Sequence, residues 1–196
     1  MSICLLFQGM NKIISISKIS IITLLCMQII SACTKVAADD DLTRYIGSYT
    51  IDSIYWTGEI VDINGDGIGE RDLINEYYGL GGFVKDWVKG SVMMIDDTTV
   101  SFNSTIPVYV TDGSDKYKIK YYDIPIQAIW HGEWGKPGFA TETYFPATTD
   151  TYSGLINAYL EKSKIQPASY ELHVKCCIPD KQKGQVEGTA IFTFSK

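Results

Sequence analysis

The sequence predicts an all-β domain, either an antiparallel barrel or a two-sheet sandwich, and three observations carry that expectation. From Leu42 onward, short runs alternating apolar with polar residues, rich in Tyr, Ile, Val, Thr and Phe, recur at roughly regular intervals. Polar links of hairpin length separate several of them, among them Thr111-Asp112-Gly113-Ser114-Asp115 and Asp180-Lys181-Gln182-Lys183-Gly184. The 196 residues hold 13 Tyr, 7 Phe and 4 Trp beside 6 Pro, enough bulk for one packed core, which excludes a collagen-like, coiled-coil or wholly disordered chain.

The candidate strands, in chain order, are 45–56, 58–62, 83–88, 91–96, 98–103, 106–111, 116–122, 124–131, 139–145, 169–178 and 186–195. The first two are separated by Thr57 alone, and the second leads into a glycine-rich loop. A short helix is expected over 72–78, after that loop, and Gly79-Leu80-Gly81-Gly82 reads as a flexible connection to 83–88. Gly132 and Gly135 mark a loop after 124–131. The segment 155–164 stays open between helix and strand, because Leu155, Ile156, Tyr159 and Leu160 share a helical stripe in a window that also fits a strand. Alternation is clearest at the end: Ala190, Phe192 and Phe194 fall on one side, Thr189, Ile191, Thr193 and Ser195 on the other.

The N-terminal part reads as an address. No acidic residue precedes Asp39, and Lys12 and Lys18 lead into an apolar stretch, Ile19 to Ile30, too short for the roughly 20 residues of a spanning helix. Residues 1–32 are therefore expected to be a secretory signal, with 1–9 a leading segment and Met10 a candidate start. Ile30-Ser31-Ala32-Cys33 resembles the lipobox of bacterial lipoproteins, which implies a diacylated Cys33 as first mature residue. Removing 1–32 takes two lysines and no acid, leaving 15 basic and 23 acidic groups, net −8. Such a chain is a poor partner for nucleic acid, which needs clustered Lys and Arg. Two or three acyl chains anchor durably, each buried methylene contributing about 0.8 kcal/mol.

Residues 33–41 form a short linker whose acidic triplet, Asp39-Asp40-Asp41, resembles the surface-export signal of lipoproteins in Gram-negative gut anaerobes; a solvated linker is the alternative. The expected location is the outer membrane, on its periplasmic or cell-surface side. Of five cysteines, only Cys176 and Cys177 then remain unmodified; adjacent strand positions face opposite ways, so a disulfide framework is excluded. At least one is expected to pack as a small buried hydrophobe, with a strained vicinal disulfide as the alternative.

The opening Tyr45-Ile46-Gly47-Ser48-Tyr49, a meander of eight to ten strands and a closing Gly188-Thr189-Ala190-Ile191-Phe192-Thr193-Phe194 strand resemble the lipocalin-like barrels of small anaerobe lipoproteins. Gly47 matches the lipocalin Gly-x-Trp motif, with Tyr49 in place of the Trp. The resemblance covers most of 42–196 in organisation and 45–49 and 58–76 in local pattern. It implies one closed antiparallel β-barrel domain over 42–196 and a cavity for an apolar ligand; the two-sheet sandwich is the alternative.

Asp62-Ile63-Asn64-Gly65-Asp66-Gly67-Ile68-Gly69-Glu70-Arg71-Asp72 is the most specific chemical feature. Calcium takes six to eight oxygens at about 2.3–2.6 Å, and alternate side chains of a tight loop converge on one point. The segment resembles a calcium loop of EF-hand and dockerin type. The resemblance implies Asp62, Asn64 and Asp66 as ligands, Gly67 at the left-handed turn, the Ile68 carbonyl, and Glu70 directly or through water. Leu73 stands where the bidentate Glu belongs, so Asp72 is expected to close the site. A polar hairpin turn is the competing reading. The ion is expected to be structural.

Catalytic signals are weak. His131 and His173 stand in no metal or triad spacing, and no Gly-x-Ser-x-Gly, His-Glu-x-x-His or phosphate-cradling loop occurs. Trp130-His131-Gly132-Glu133-Trp134 supports a glycan-active reading with Glu133 as acid, which would need a second carboxylate across a cleft. The expectation is a lipid-anchored lipoprotein that is not an enzyme. It would bind a small apolar ligand, a glycan or a partner lipoprotein, or serve as a filled-barrel interaction protein, with an internal cavity deciding between these.

Overall fold

A computed structural model describes residues 42–111, 117–131, 138–146 and 154–196. The signal, Cys33 and the acidic triplet lie outside them, and so does Glu133. Residues Leu42–Lys196 form one unit. Its strands are β1 (Gly47–Trp56), β2 (Lys89–Met94), β3 (Thr99–Thr111), β4 (Tyr117–His131), β5 (Gly138–Thr141), β6 (Leu155–Leu160), β7 (Ser169–Asp180) and β8 (Gly184–Ser195), and the helix α1 (Leu73–Leu80) lies between β1 and β2. No described helix is long and apolar enough to cross a membrane.

Strands adjacent in sequence pair antiparallel, and β8 returns to pair with β1, giving one sheet in the order β5-β4-β3-β2-β1-β8-β7-β6. Among the described residues its two edges meet at a single bridge: Tyr144 N–H donates to the Ala158 carbonyl at 2.7 Å, and Ala158 N–H to the Tyr144 carbonyl at 2.9 Å. The result is a nearly closed, lipocalin-like eight-stranded barrel, not two stacked sheets.

Several expected breaks are absent because polar residues find partners inside continuous strands. The 98–103 and 106–111 runs fuse into β3: Ser104 turns inward to hydrogen-bond the Tyr170 hydroxyl at 2.9 Å, and the Thr105 hydroxyl donates outward to Asp123 at 2.6 Å. The same Asp123 lies within β4, so 116–122 and 124–131 are likewise one strand. Segment 155–160 is a strand, its Leu155, Ala158 and Leu160 buried across a bulge between Leu155 and Asn157, and a 3-10 turn follows at Lys162–Lys164. Two expected strands are missing. Segment 58–62 contributes only a Val61–Glu70 bridge, and 83–88 curls into a 3-10 turn at Lys85–Trp87.

The inward positions fill the barrel. Tyr170 stacks on Phe194 at 5.0 Å and meets Tyr49 and Phe102 edge-on, each at 5.1 Å. Phe192, Ile54, Trp56 and Leu172 are buried with them. Burying four large side chains contributes about 6–12 kcal/mol before entropy is charged. Register defines two mouths. One gathers Leu42–Ile46, the β2–β3 turn and Lys196, and is plugged by Tyr45, Trp130 and Phe139, whose rings pack at 4.9–5.9 Å. The other gathers the 57–72 loop, α1 and the β7–β8 turn, with Tyr77 of α1 set against Phe83 and Tyr109, each at 5.3 Å.

Candidate cation loop

The loop is fastened to the end of β1 before any of its oxygens are placed. Trp56 N–H donates to the Arg71 carbonyl at 2.8 Å, and Arg71 Nη1 donates back to the carbonyls of Trp56 and Gly58 at 3.1 and 2.8 Å. Glu70 N–H donates to Val61 at 3.2 Å, closing residues 62–69 into a tight bend.

Within the bend, alternate spacing produces successive side-chain-to-backbone turns. Asp62 Oδ1 and Oδ2 accept from Gly65 and Gly67 N–H at 2.7 and 3.0 Å, Asn64 Oδ1 from Asp66 N–H at 2.9 Å, and Asp66 Oδ1 from Ile68 N–H at 2.7 Å. Gly65 and Gly67 lie at φ +77° and +88°, where a side chain would be strained. Ile68 is exposed, at 66%. Glu70 Oε2 accepts from Asn75 Nδ2 at 2.9 Å. Asp72 takes a different post: its Oδ1 accepts from Ile74 N–H at 3.0 Å and caps the N-terminus of α1.

Two carboxylates missed in the sequence hold the bend from beneath. Glu76, buried on the inner face of α1, accepts from Ile63 and Asn64 N–H through Oε2, at 2.8 and 3.2 Å, and from Glu70 N–H through Oε1 at 3.1 Å. Burial raises its pKa above the ordinary value; the amides of Asn64, Ile63 and Glu70 counteract this in part, while the Asp62 charge adds to it. Asp180, at the β7–β8 turn, accepts from Asp62 N–H at 2.9 Å and from Gln182 and Lys183 N–H at 2.8 and 2.7 Å. An acid inside the apolar stripe Leu73, Ile74 and Tyr77 was the signal for Glu76. Asp180 had only its turn-forming context.

The donor set suits calcium: carboxylates, an amide oxygen and a backbone carbonyl on one loop. Their side-chain oxygens are engaged by backbone amides and, at Asp66 and Glu70, by the side-chain amides of Asn64 and Asn75, and among the described residues no three acidic, His or Cys side chains converge on a point that would hold a metal. Each engaged oxygen keeps a second lone pair, so gathering them requires side chains to re-aim while the bend persists.

Elsewhere the chemistry is sparse. The interior space between α1 and β7, lined by Tyr77, Tyr109, Cys176 and Ile178 among others, has about 10 Å³, room for one water and no ligand. The Tyr109 hydroxyl on it is buried without a hydrogen-bond partner among the described residues. A shallow depression of about 650 Å³ lies on the outer sheet face over Ser48, Thr50, Lys89, Ser91, Thr105 and Asp123. His131 is exposed. His173 lies between the Tyr159 hydroxyl and Glu171 Oε2, each at 3.3 Å. Cys176 and Cys177 are unbridged, and burial pushes the Cys176 thiol up to about 12. No protein-family model, curated protein or solved structure matches the chain.

Proposed function

We propose that the chain is a lipid-anchored, extracytoplasmic interaction module of the outer membrane, without enzymatic activity. Acylated Cys33 holds it, the barrel is a rigid scaffold, and the 62–72 loop takes one calcium ion as a brace. The observation that carries this reading is the aromatic filling of the barrel: with about 10 Å³ free between Tyr77 and Cys176, recognition falls to the outer surface and the mouths. The polar depression over Ser91 and Thr105 favours a second reading, in which that outer surface takes a glycan.

Asp62, Asn64, Asp66, the Ile68 carbonyl and Glu70 would hold the ion, with Asp72 released from its cap to close the shell. The ion's charge would relieve the repulsion among these carboxylates and pin α1 to β1. Melting of residues 34–196 with calcium and with chelator tests it. At a hundredfold excess over Kd, binding stabilises by about 2.7 kcal/mol, a rise of about 5–10 °C for a domain this size. Asp66→Ala removes the rise. An unchanged midpoint at saturating calcium refutes the ion, and a Cys33→Ala chain that stays with the membrane fraction refutes the anchor.

A further inference from the structure

We propose that the barrel mouth beside Leu42 rests on the bilayer that holds the anchor, with Met93, Met94, Ile95 and Ile129 entering the headgroup–acyl boundary; this rests on the Cys33 anchoring proposed above. The outward face of the sheet changes character along its strands. On β2 the outward residues run Lys89, Ser91 and then Met93; on β4 they run Asp123, Pro125, Gln127 and Ile129, with His131 at the strand's end. Along these two strands mostly polar side chains cover the waist, and large apolar ones stand exposed toward this mouth. Met93, Met94, Ile95 and Ile129 are 54%, 45%, 52% and 46% exposed.

They form one ledge. Ile95 N–H donates to the Thr99 carbonyl at 2.9 Å, Thr99 pairs with Ile129, and Trp130 N–H donates to the Thr98 carbonyl at 2.7 Å, so the β2–β3 turn and the end of β4 lie side by side. The first described residues join the same mouth: Gly47 pairs with Val92, and Lys196 Nζ donates to the carbonyls of Arg44 and Ile46 at 2.6 and 3.1 Å. Cys33 precedes Leu42 by nine residues. Even fully extended, that span reaches no more than about 32 Å. An acylated Cys33 therefore keeps this mouth close to the membrane, where half-exposed Met and Ile side chains gain by leaving water.

Charge sets the lipid class. The tip carries Asp96 and Asp97, Asp96 Oδ1 accepting from Thr98 and Thr99 N–H at 2.9 and 2.8 Å, while Lys162 and Lys164 lie in the turn between β6 and β7 at the same mouth. With both signs present, a mainly zwitterionic surface fits better than a strongly anionic one. Ile60, Ile68 and Tyr78, also exposed, sit at the opposite mouth.

The test uses the full lipidated chain in vesicles of phosphatidylethanolamine and phosphatidylglycerol at three to one, with a fraction of the lipid carrying an acyl-chain nitroxide. In a Cys177→Ser background, a fluorophore is placed at Ile95→Cys or at Ile68→Cys. The label at 95 is expected to be quenched about threefold more than the label at 68, since interfacial side chains reach only the upper acyl region. Adding Met93→Asp and Ile129→Asp, both at exposed positions, should bring quenching at 95 down to the level at 68. Equal quenching at the two positions in an acylated chain, or quenching that survives the double substitution, overturns the inference. Mass spectrometry showing no acyl mass on Cys33 overturns the anchoring and the inference with it.

Discussion

Gly90 tests the account of the core most directly. A β-carbon added there would fall on the Tyr170 hydroxyl and lie 3.0 Å from Tyr170 Cζ and 3.4 Å from Phe194 Cδ1. Tyr170 cannot yield freely, because it is stacked on Phe194, met edge-on by Tyr49 and Phe102, and hydrogen-bonded to Ser104 at 2.9 Å. Overpacking a filled core costs about 1–3 kcal/mol. Displacing the ring also leaves the buried Ser104 hydroxyl unpaired, a further loss of about 1–3 kcal/mol, against a chain-entropy gain of about 0.4–1 kcal/mol. Gly90→Ala should therefore destabilise by about 3 kcal/mol, lowering the midpoint by about 6–12 °C. Urea unfolding of residues 34–196, followed by tryptophan fluorescence, measures it. Tyr170→Phe alone should cost about 1–2 kcal/mol, and the double variant should cost less than the sum by about 1 kcal/mol, since the hydroxyl that collides is gone. A Gly90→Ala chain as stable as the parent, or strictly additive effects, would refute the packing described for this ring cluster.

The other predictions concern titration and reactivity. Burial by itself raises the Asp180 carboxyl, but the amides of Asp62, Lys183 and Gln182 together with the Lys183 charge outweigh it and hold the group below its ordinary value. A depressed carboxyl stabilises the fold above its unfolded pKa, near about 3.9, and that contribution vanishes as pH falls through the folded value. Asp180→Asn should lower the melting temperature at pH 7, and the gap to the parent should begin to close below about pH 4; a constant gap between pH 7 and 3 contradicts this. With its thiol at about 12, Cys176 should resist iodoacetamide at pH 8 in the folded chain and react only after urea, whereas Cys177 is alkylated first. Mass mapping showing comparable native rates at both positions would refute it.

Legibility followed the range of the interactions involved. The closing strand was readable because Ala190, Phe192 and Phe194 alternate with polar neighbours, a signal internal to ten residues. The continuity of β3 and β4 was hidden, because Ser104 and Asp123 look like turn residues until Tyr170 and Thr105 stand opposite them. Segment 155–160 could not be assigned locally; pairing with β7 decides it. Closure was not written in any local pattern and came only with the lipocalin resemblance, since β1–β8 pairing joins residues far apart in sequence. In the loop, the turn-forming order of Asp62, Asn64 and Asp66 was legible from spacing. The amide-binding carboxylates beneath it were not, one lying 118 residues from Asp62.

The Tyr144–Ala158 contact gives the barrel a latch. Elsewhere neighbouring strands are laced by ladders of four to 13 paired positions, while here, among the described residues, the backbone is held by two bonds. Two such bonds contribute about 1–3 kcal/mol, so parting them requires far less than global unfolding. An unrolling along that line is thus a low-cost excursion, and it bares the rims of β5 and β6. A rim laid open in this way is a template for any passing strand, so crowding on a membrane tests the latch before it tests the core.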